Sequence, residues 1–164
     1  MPSNVLKLLY FSLVYPHFTY GILIWGNAAN YLLHKLFFVQ KKFIRILSNA
    51  KYLSHTSNLF KNLQILKLND VYVFHVNVFT FKIKNNMLPS CMDLVPFNTK
   101  QCYNLRYAGD VLQQYCRTNV RKYFITFSAV NAWNALPLDI KLITSISMFK
   151  KNLRSHMLSL VLAP

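Results

Sequence analysis

The sequence predicts a mainly α fold, a helical bundle followed by a smaller α+β lobe with one or two short strands. Three observations predict it. Leu32, Leu36, Val39, Phe43 and Ile46 recur at alternating spacings of four and three, the period of one face of a long helix. Ile146, Phe149, Leu153, Met157 and Leu160 repeat the pattern near the end of the chain. Between them, residues 89 to 114 lose all sustained periodicity, and Arg121 to Phe127 reads as a short strand. At 164 residues and 54% hydrophobic, the chain has material for one domain with a real core, or for a compact domain plus an appended lobe. The division is placed between a helical region, 1–88, and an extension, 89–164.

Ser3 is positioned to cap the first helix. Behind it Leu6, Leu9 and Leu13 repeat at helical spacing, and Val5, Leu8, Phe11 and Val14 make the helix apolar almost all round, so it is expected to be buried. Pro16 lacks a backbone donor and its ring crowds the preceding turn, so the segment 15–25 either kinks or restarts as a short helix before the turn at Gly26-Asn27. The long amphipathic helix spans Ala29 to Ser48, with its apolar stripe packed inward. Lys51 to Ser57 forms a polar loop, Ser57 or Asn58 caps a short helix carrying Leu59, Leu63 and Leu66, and Asn69-Asp70 begins another. The stretch Val71 to Lys84 fits two templates: it is rich in β-branched residues and partly alternates, yet Val71, Phe74, Val78 and Phe81 share one helical face. Helix is the favoured reading, closed by Asn85-Asn86 and Leu88-Pro89. After the strand at 121–127, Ser128 to Leu136 forms a short helix stopped by Pro137, and Ser145 caps the last helix. Internal repeats and low-complexity tracts are absent.

Charge bounds the function more tightly than the fold does. Nineteen Lys and Arg face four acids, Asp70, Asp93, Asp110 and Asp139, with no Glu, for a net charge of +15. Such a field favours phosphate backbones, whose condensed counterions are released on binding, or anionic lipid headgroups. On the long helix Lys35, Lys42 and Arg45 share a face and Lys41 extends it. These four are the first candidates for phosphate contact. The alternative, a solvated face, would carry Asp or Glu for balance, and this helix has neither. Arg117, Arg121 and Lys122 form a second group beside Tyr115 and Tyr123, a mixture suited to phosphates and unpaired bases, or to a basic strand edge that resists aggregation. Lys150, Lys151 and Arg154 form a third on the last helix.

Enzyme chemistry finds no foothold in the pattern. The four acids are at least seventeen residues apart in sequence, so no carboxylate pair is suggested. His17, His34, His55, His75 and His156 have no metal-site spacing. Cys91, Cys102 and Cys116 match neither a disulfide framework nor a zinc ligand set, and Cys116, although next to Arg117, has no evident histidine partner. Glycine occurs only at 21, 26 and 109, too sparsely for a phosphate-cradling loop. Trp25 and Trp133 read as core anchors. The first 26 residues are apolar, but Lys7, Pro16 and His17 interrupt the run. No catalytic residue, metal ligand or cofactor is assigned to the chain.

Seven segments in order carry a resemblance: LKLLYFSLVYPHFTYGILIWG at 6–26, VQKKFIRIL at 39–47, LKLNDVYVFHVNVFTFKIKNNMLP at 66–89, YNLR at 103–106, CRTNVRK at 116–122, AWNALPLDIK at 132–141 and SISMFKKNL at 145–153. Through almost its whole length the chain resembles the region downstream of the polymerase core in LINE-type, jockey-like non-LTR retrotransposon reverse transcriptases. The resemblance implies a helical thumb over residues 1–88 that grips template-primer nucleic acid, followed by a C-terminal extension. Its partners would be RNA, an RNA–DNA hybrid or DNA, together with the palm and fingers of the parent polymerase, in the cytoplasm or nucleus. The paired aspartates of a Tyr-x-Asp-Asp turn, and with them the divalent metal, would belong to that palm. Because Met1 stands a few residues before the first landmark, the chain is expected to be a truncated or decayed copy, a gene-prediction fragment or a domesticated piece. Ala129-Val130 departs from the pattern, which calls for a Gly-Pro turn before the tryptophan helix. Two other readings remain: a small basic membrane-associated protein in which residues 5–25 insert or lie in the interface, and an independent RNA-binding or protein-interaction module.

Overall fold

In the computed structural model, residues 3–89, 111–113 and 115–162 are described, and every multi-residue regular element among them is a helix. Helix α1, Ser3–Leu9, continues into a π-helical turn, Tyr10–Val14, and then α2, Tyr15–Thr19. There follow α3, Ile22–Trp25; α4, Asn30–Leu47; α5, Ser57–Leu63; α6, Leu68–Lys84; α7, Asn119–Lys122; α8, Ile125–Asn134; α9, Leu138–Lys141; and α10, Ile146–Leu162. The mainly α class is therefore what the sequence predicts. Two compact units divide the chain, Met1–Tyr72 with Ser155–Pro164, and Val73–Arg154. The aperiodic stretch 89–114, Cys91, Cys102, Asp93, Asp110 and the YNLR landmark lie almost wholly outside the described residues.

In the first unit, Pro16 sets the local geometry. A regular helix would press its ring against the carbonyl of Ser12. The chain widens instead into the π-turn, where the Tyr15 amide reaches back to the Tyr10 carbonyl. Tyr10 and Ile44, Leu47, Phe60 and Ile65 form the core cluster, with Leu6, Phe11, Val14, Phe37 and Phe43 packed around it. Burial holds the Tyr10 phenol above its ordinary pKa, a hydrogen bond from Gln40 acting in the opposite direction. The rest of the first helix departs from expectation. Val5, Leu8, Leu9 and Leu13 are exposed, because one face of a helix apolar all round meets the core and no other described element covers the opposite face. Gly21 adopts φ +62, a left-handed conformation that glycine enters without a Cβ penalty. At Gly26 a Cβ would collide with the Tyr72 ring and the Ile22 carbonyl oxygen, so the missing side chain is what lets α6 approach.

Helix α4 has the predicted span within one residue at each end, but it is rotated. The stripe expected inside is mostly outside: Leu32, Leu36, Val39 and Ile46 are 44%, 38%, 41% and 62% exposed. The inward face is Leu33, Phe37, Gln40, Ile44 and Leu47, each one residue later and hence about 100° further round the helix. Gln40 accounts for the rotation. Its Nε2 donates to the Leu66 carbonyl at 3.0 Å and to the Tyr10 hydroxyl at 3.3 Å, and its Oε1 accepts from the Leu68 amide at 2.9 Å. Leu68 opens α6, so its amide is one of the donors that a helix start leaves unpaired. The buried amide of Gln40 thus caps α6 from another helix.

Helix ends compensate for the scarcity of glycine. Asn49, Gln64 and Asn86 take positive φ just past α4, α5 and α6. At each, its own amide and the following one fold back in the paired pattern that closes a helix: Asn49 to Ile46 and Ala50 to Arg45, Gln64 to Lys61 and Ile65 to Phe60, Asn86 to Ile83 and Met87 to Lys82.

In the second unit, Trp133, Phe149 and Phe81 stack in sequence, with ring centroids 6.0 Å and 4.3 Å apart. The α6 residues Val76, Asn77, Val78, Thr80, Phe81 and Ile83 are buried on several sides of the helix. The favoured helical reading of 71–84 is thereby met, and Thr80 returns its hydroxyl to the Val76 carbonyl at 2.9 Å. Arg121 to Phe127 is not a strand. The Tyr123 and Phe124 amides bond to Val120 and Arg121, Phe124 alone is extended, and α8 begins at Ile125. Lacking a described strand beside it, this backbone satisfies its polar groups locally as helix. Ala129 and Val130 lie buried within α8, so the expected turn before Trp133 is replaced by continuous helix. Asn134 grips Val111 through both backbone groups, at 3.0 and 2.9 Å.

Gln40→Leu is expected to lower unfolding free energy by about 2–4 kcal/mol, because it orphans buried partners on both sides of the amide; urea denaturation measures it. Gly26→Ala should cost on the order of 2 kcal/mol by overpacking against Tyr72, read as a fall in Tm.

Candidate nucleic-acid interface

Once Gln40 fixes the rotation of α4, the positions of its cations follow. Lys35 and Lys42 are exposed and stand roughly opposite the buried stripe. Lys41 and Arg45 lie on the flank and are half-buried. The Lys41 ammonium sits 4.4 Å from the Phe37 ring centroid and 5.4 Å from that of Phe38. Arg45 donates through Nε to the Ser54 carbonyl at 3.1 Å, and its guanidinium lies 6.0 Å from the Tyr52 ring centroid. The four predicted cations thus run from the flank of α4 to its solvent face. No acid occurs anywhere along it.

The other candidates occupy other helices. Arg117 precedes α7, Arg121 and Lys122 belong to it, and all three are exposed, as are Tyr115 and Tyr123. Lys150, Lys151 and Arg154 are exposed on α10, whose Phe149 and Leu153 are buried. Sequence reasoning missed the aromatic residues Tyr31 and Phe38 among the α4 cations. Their spacing of seven, matching that of Lys35 and Lys42, was the available signal.

Asp70 sits in the first turn of α6, where a carboxylate opposes the helix dipole favourably. Burial raises its pKa, while the charge of Lys67 and a backbone hydrogen bond from Lys67 pull it down. Trp133 is fully buried, as a core anchor should be, with the Lys84 ammonium 5.1 Å from its ring centroid. Trp25 is only half-buried, and its Nε1 donates to the Tyr20 carbonyl at 2.7 Å. Cys116 is half-buried and lines a small cavity with Arg121, Thr126, Phe127 and Val130, and no histidine lines it. Among the described residues, no three His, Cys, Asp or Glu converge as metal ligands, and no helix is long and apolar enough to cross a membrane. No family model, curated protein or solved structure matches the chain.

His75 responds to pH. Its Nε2 is buried with no hydrogen-bond partner among the described residues, and its pKa is lowered first by that burial and then by the charge of Lys150. The unfolded chain therefore takes up the proton more readily. Stability is complete above the unfolded value of about 6.5 and is lost as pH falls through the lower folded value. Denaturation at pH 7.5 and 5.5 should show this loss, and His75→Gln should reduce the difference between the two.

Proposed function

We propose that this chain is a non-catalytic nucleic-acid-gripping region, the counterpart of the thumb and C-terminal extension of a LINE-type retrotransposon reverse transcriptase. The observation that carries the reading is the solvent face of α4, with two exposed lysines, two anchored cations and no acid. It is supported by the net charge of +15 and by the ordered sequence landmarks. The mechanism is positional. Lys35, Lys41, Lys42 and Arg45 hold phosphates without reading bases, while the helices below them set the angle of the backbone. In the second unit, Arg117, Arg121, Lys122, Lys150, Lys151 and Arg154 are further candidates for phosphate contact. The palm and fingers of the parent polymerase supply the catalytic aspartates and the divalent metal, and they cover the exposed Val5, Leu8, Leu9 and Leu13.

Those same four apolar residues favour a second reading, in which the first helix lies on an anionic membrane.

Titration of an RNA–DNA hybrid across a salt series separates the two. About five phosphate contacts give a log-log slope near −4. Lys35→Ala with Lys42→Ala should weaken binding to all sequences alike and reduce the slope by about 2. These two are chosen because they are exposed, whereas Arg45 also ties down the loop at Ser54. A flat slope together with partition into phosphatidylserine vesicles would overturn the nucleic-acid reading.

A further inference from the structure

Beside the cations of α4 stand three aromatic rings that the core does not use. Tyr31, Phe38 and Tyr52 are 68%, 51% and 71% exposed. Tyr31, Phe38, Arg45, Lys42 and Lys35 fall within an arc of about 80° around the helix. Single exposed aromatics are ordinary on protein surfaces. Here each shares its face with cations, and two are held in place by them. His34 meets the edge of Phe38 at 4.6 Å, and the Lys41 ammonium lies 5.4 Å from the same ring centroid. The Tyr52 turn is tied to α4 through Arg45 and Ser54, and Ser54 closes that turn by bonding the Lys51 carbonyl through both its amide and its hydroxyl.

We propose that this face binds single-stranded nucleic acid, with unpaired bases stacking on Tyr31, Phe38 and Tyr52 while phosphates run along Lys35, Lys42, Lys41 and Arg45. The proposal rests on the reading of these cations as phosphate contacts and adds the form of the ligand. A duplex hides the faces of its bases and offers the rings nothing to stack on, whereas every unpaired base presents a π-face. Charge complementarity points the same way, since a face with four cations and no acid calls for a polyanion. The scale also fits. Tyr31 and Phe38 are two helical turns apart, about 10 Å along the axis, which is about three base steps at 3.4 Å. Arg45 uses only Nε for Ser54, leaving the terminal nitrogens of its guanidinium for phosphate.

The test uses the full chain and a twelve-nucleotide mixed-sequence RNA carrying one 2-aminopurine, offered alone and as a blunt duplex at fixed salt. Tighter binding to the single strand, with quenching of the 2-aminopurine, is expected. Phe38→Ala and Tyr52→Ala, exposed positions whose variants are checked for native circular dichroism, should each weaken single-strand binding roughly tenfold. They should leave duplex binding within about twofold and the salt slope unchanged, because they remove no cation. Equal affinity for single strand and duplex, or aromatic variants that bind the single strand as the wild type does, would overturn the proposal. If Lys35→Ala with Lys42→Ala weakens both ligands while the aromatic variants weaken neither, stacking alone fails. If the lysine variants also leave both affinities unchanged, the phosphate reading fails with it. Loss of phosphatidylserine-vesicle binding in the aromatic variants, with oligonucleotide binding retained, would assign the rings to a membrane surface and likewise overturn it.

Discussion

The carboxamide of Gln40 fixes the orientation on which the candidate interface depends. By apolar content alone, Leu32, Leu36, Val39, Phe43 and Ile46 would be the better stripe to bury, since the competing stripe spends its middle position on a glutamine. Exchanging the mid-stripe valine for an amide forfeits about 2 kcal/mol of apolar transfer. Against that stand three hydrogen bonds worth about 1 kcal/mol each, and the avoidance of about 1–3 kcal/mol for each backbone group that would otherwise be buried unpaired. The amide prevails because it has three partners on two separate segments: Tyr10 in the π-turn, and Leu66 just before α6 with Leu68 at its start. A hydrophobic residue at that position could fill the space but could not choose the rotation.

From that choice the surface follows. Burying one stripe turns Lys35 and Lys42 fully toward solvent and leaves Leu32, Leu36, Val39 and Ile46 as an uncovered apolar strip beside them. It also places Phe37 against Phe60, with ring centroids 6.1 Å apart, and brings the adjacent Phe38 to the surface next to Lys41. Core packing and the basic face are therefore coupled: a rotation of α4 by one residue would exchange buried rings for exposed ones and turn the whole cation patch by about 100° about the axis.

The sequence made α4 legible as a helix and its cations legible as one patch, because spacing survives any rotation about the axis. The rotation itself was hidden. Two parallel apolar stripes run along this helix, and only the partners of Gln40, twenty-six or more residues away in sequence, decide between them. Helix α6 was ambiguous for a related reason: Val76, Asn77, Val78, Thr80 and Phe81 are buried on several sides, so the apolar pattern that normally marks one face is diluted. The segment 121–127 misled because its aromatic and β-branched residues suit a strand, whereas Tyr123 and Phe124 are exposed and their amides bond back to Val120 and Arg121. The ends of α4 and α6 were legible without glycine, near Ser48 and at Asn85-Asn86, whereas Gln64 gave no sign that α5 stops before Leu66. The exposed rings of α4 share the seven-residue spacing of Lys35 and Lys42, but which face meets solvent is set by the distant partners of Gln40.

The four α4 cations differ in what each can contribute to a polyanion. Lys35 and Lys42 are exposed and strongly hydrated, so much of their effect is long-range attraction, which salt screens within about 10 Å. Lys41 and Arg45 are held over rings and, for Arg45, by a hydrogen bond to Ser54. They have already given up much of the rotamer freedom that binding otherwise removes, about 0.5–1.5 kcal/mol for each immobilised side chain. In the proposed grip, attraction would thus belong chiefly to the exposed pair and register to the anchored pair. The anchored pair is also the one beside Phe38 and Tyr52, so the rings stand where a bound strand would be held most rigidly.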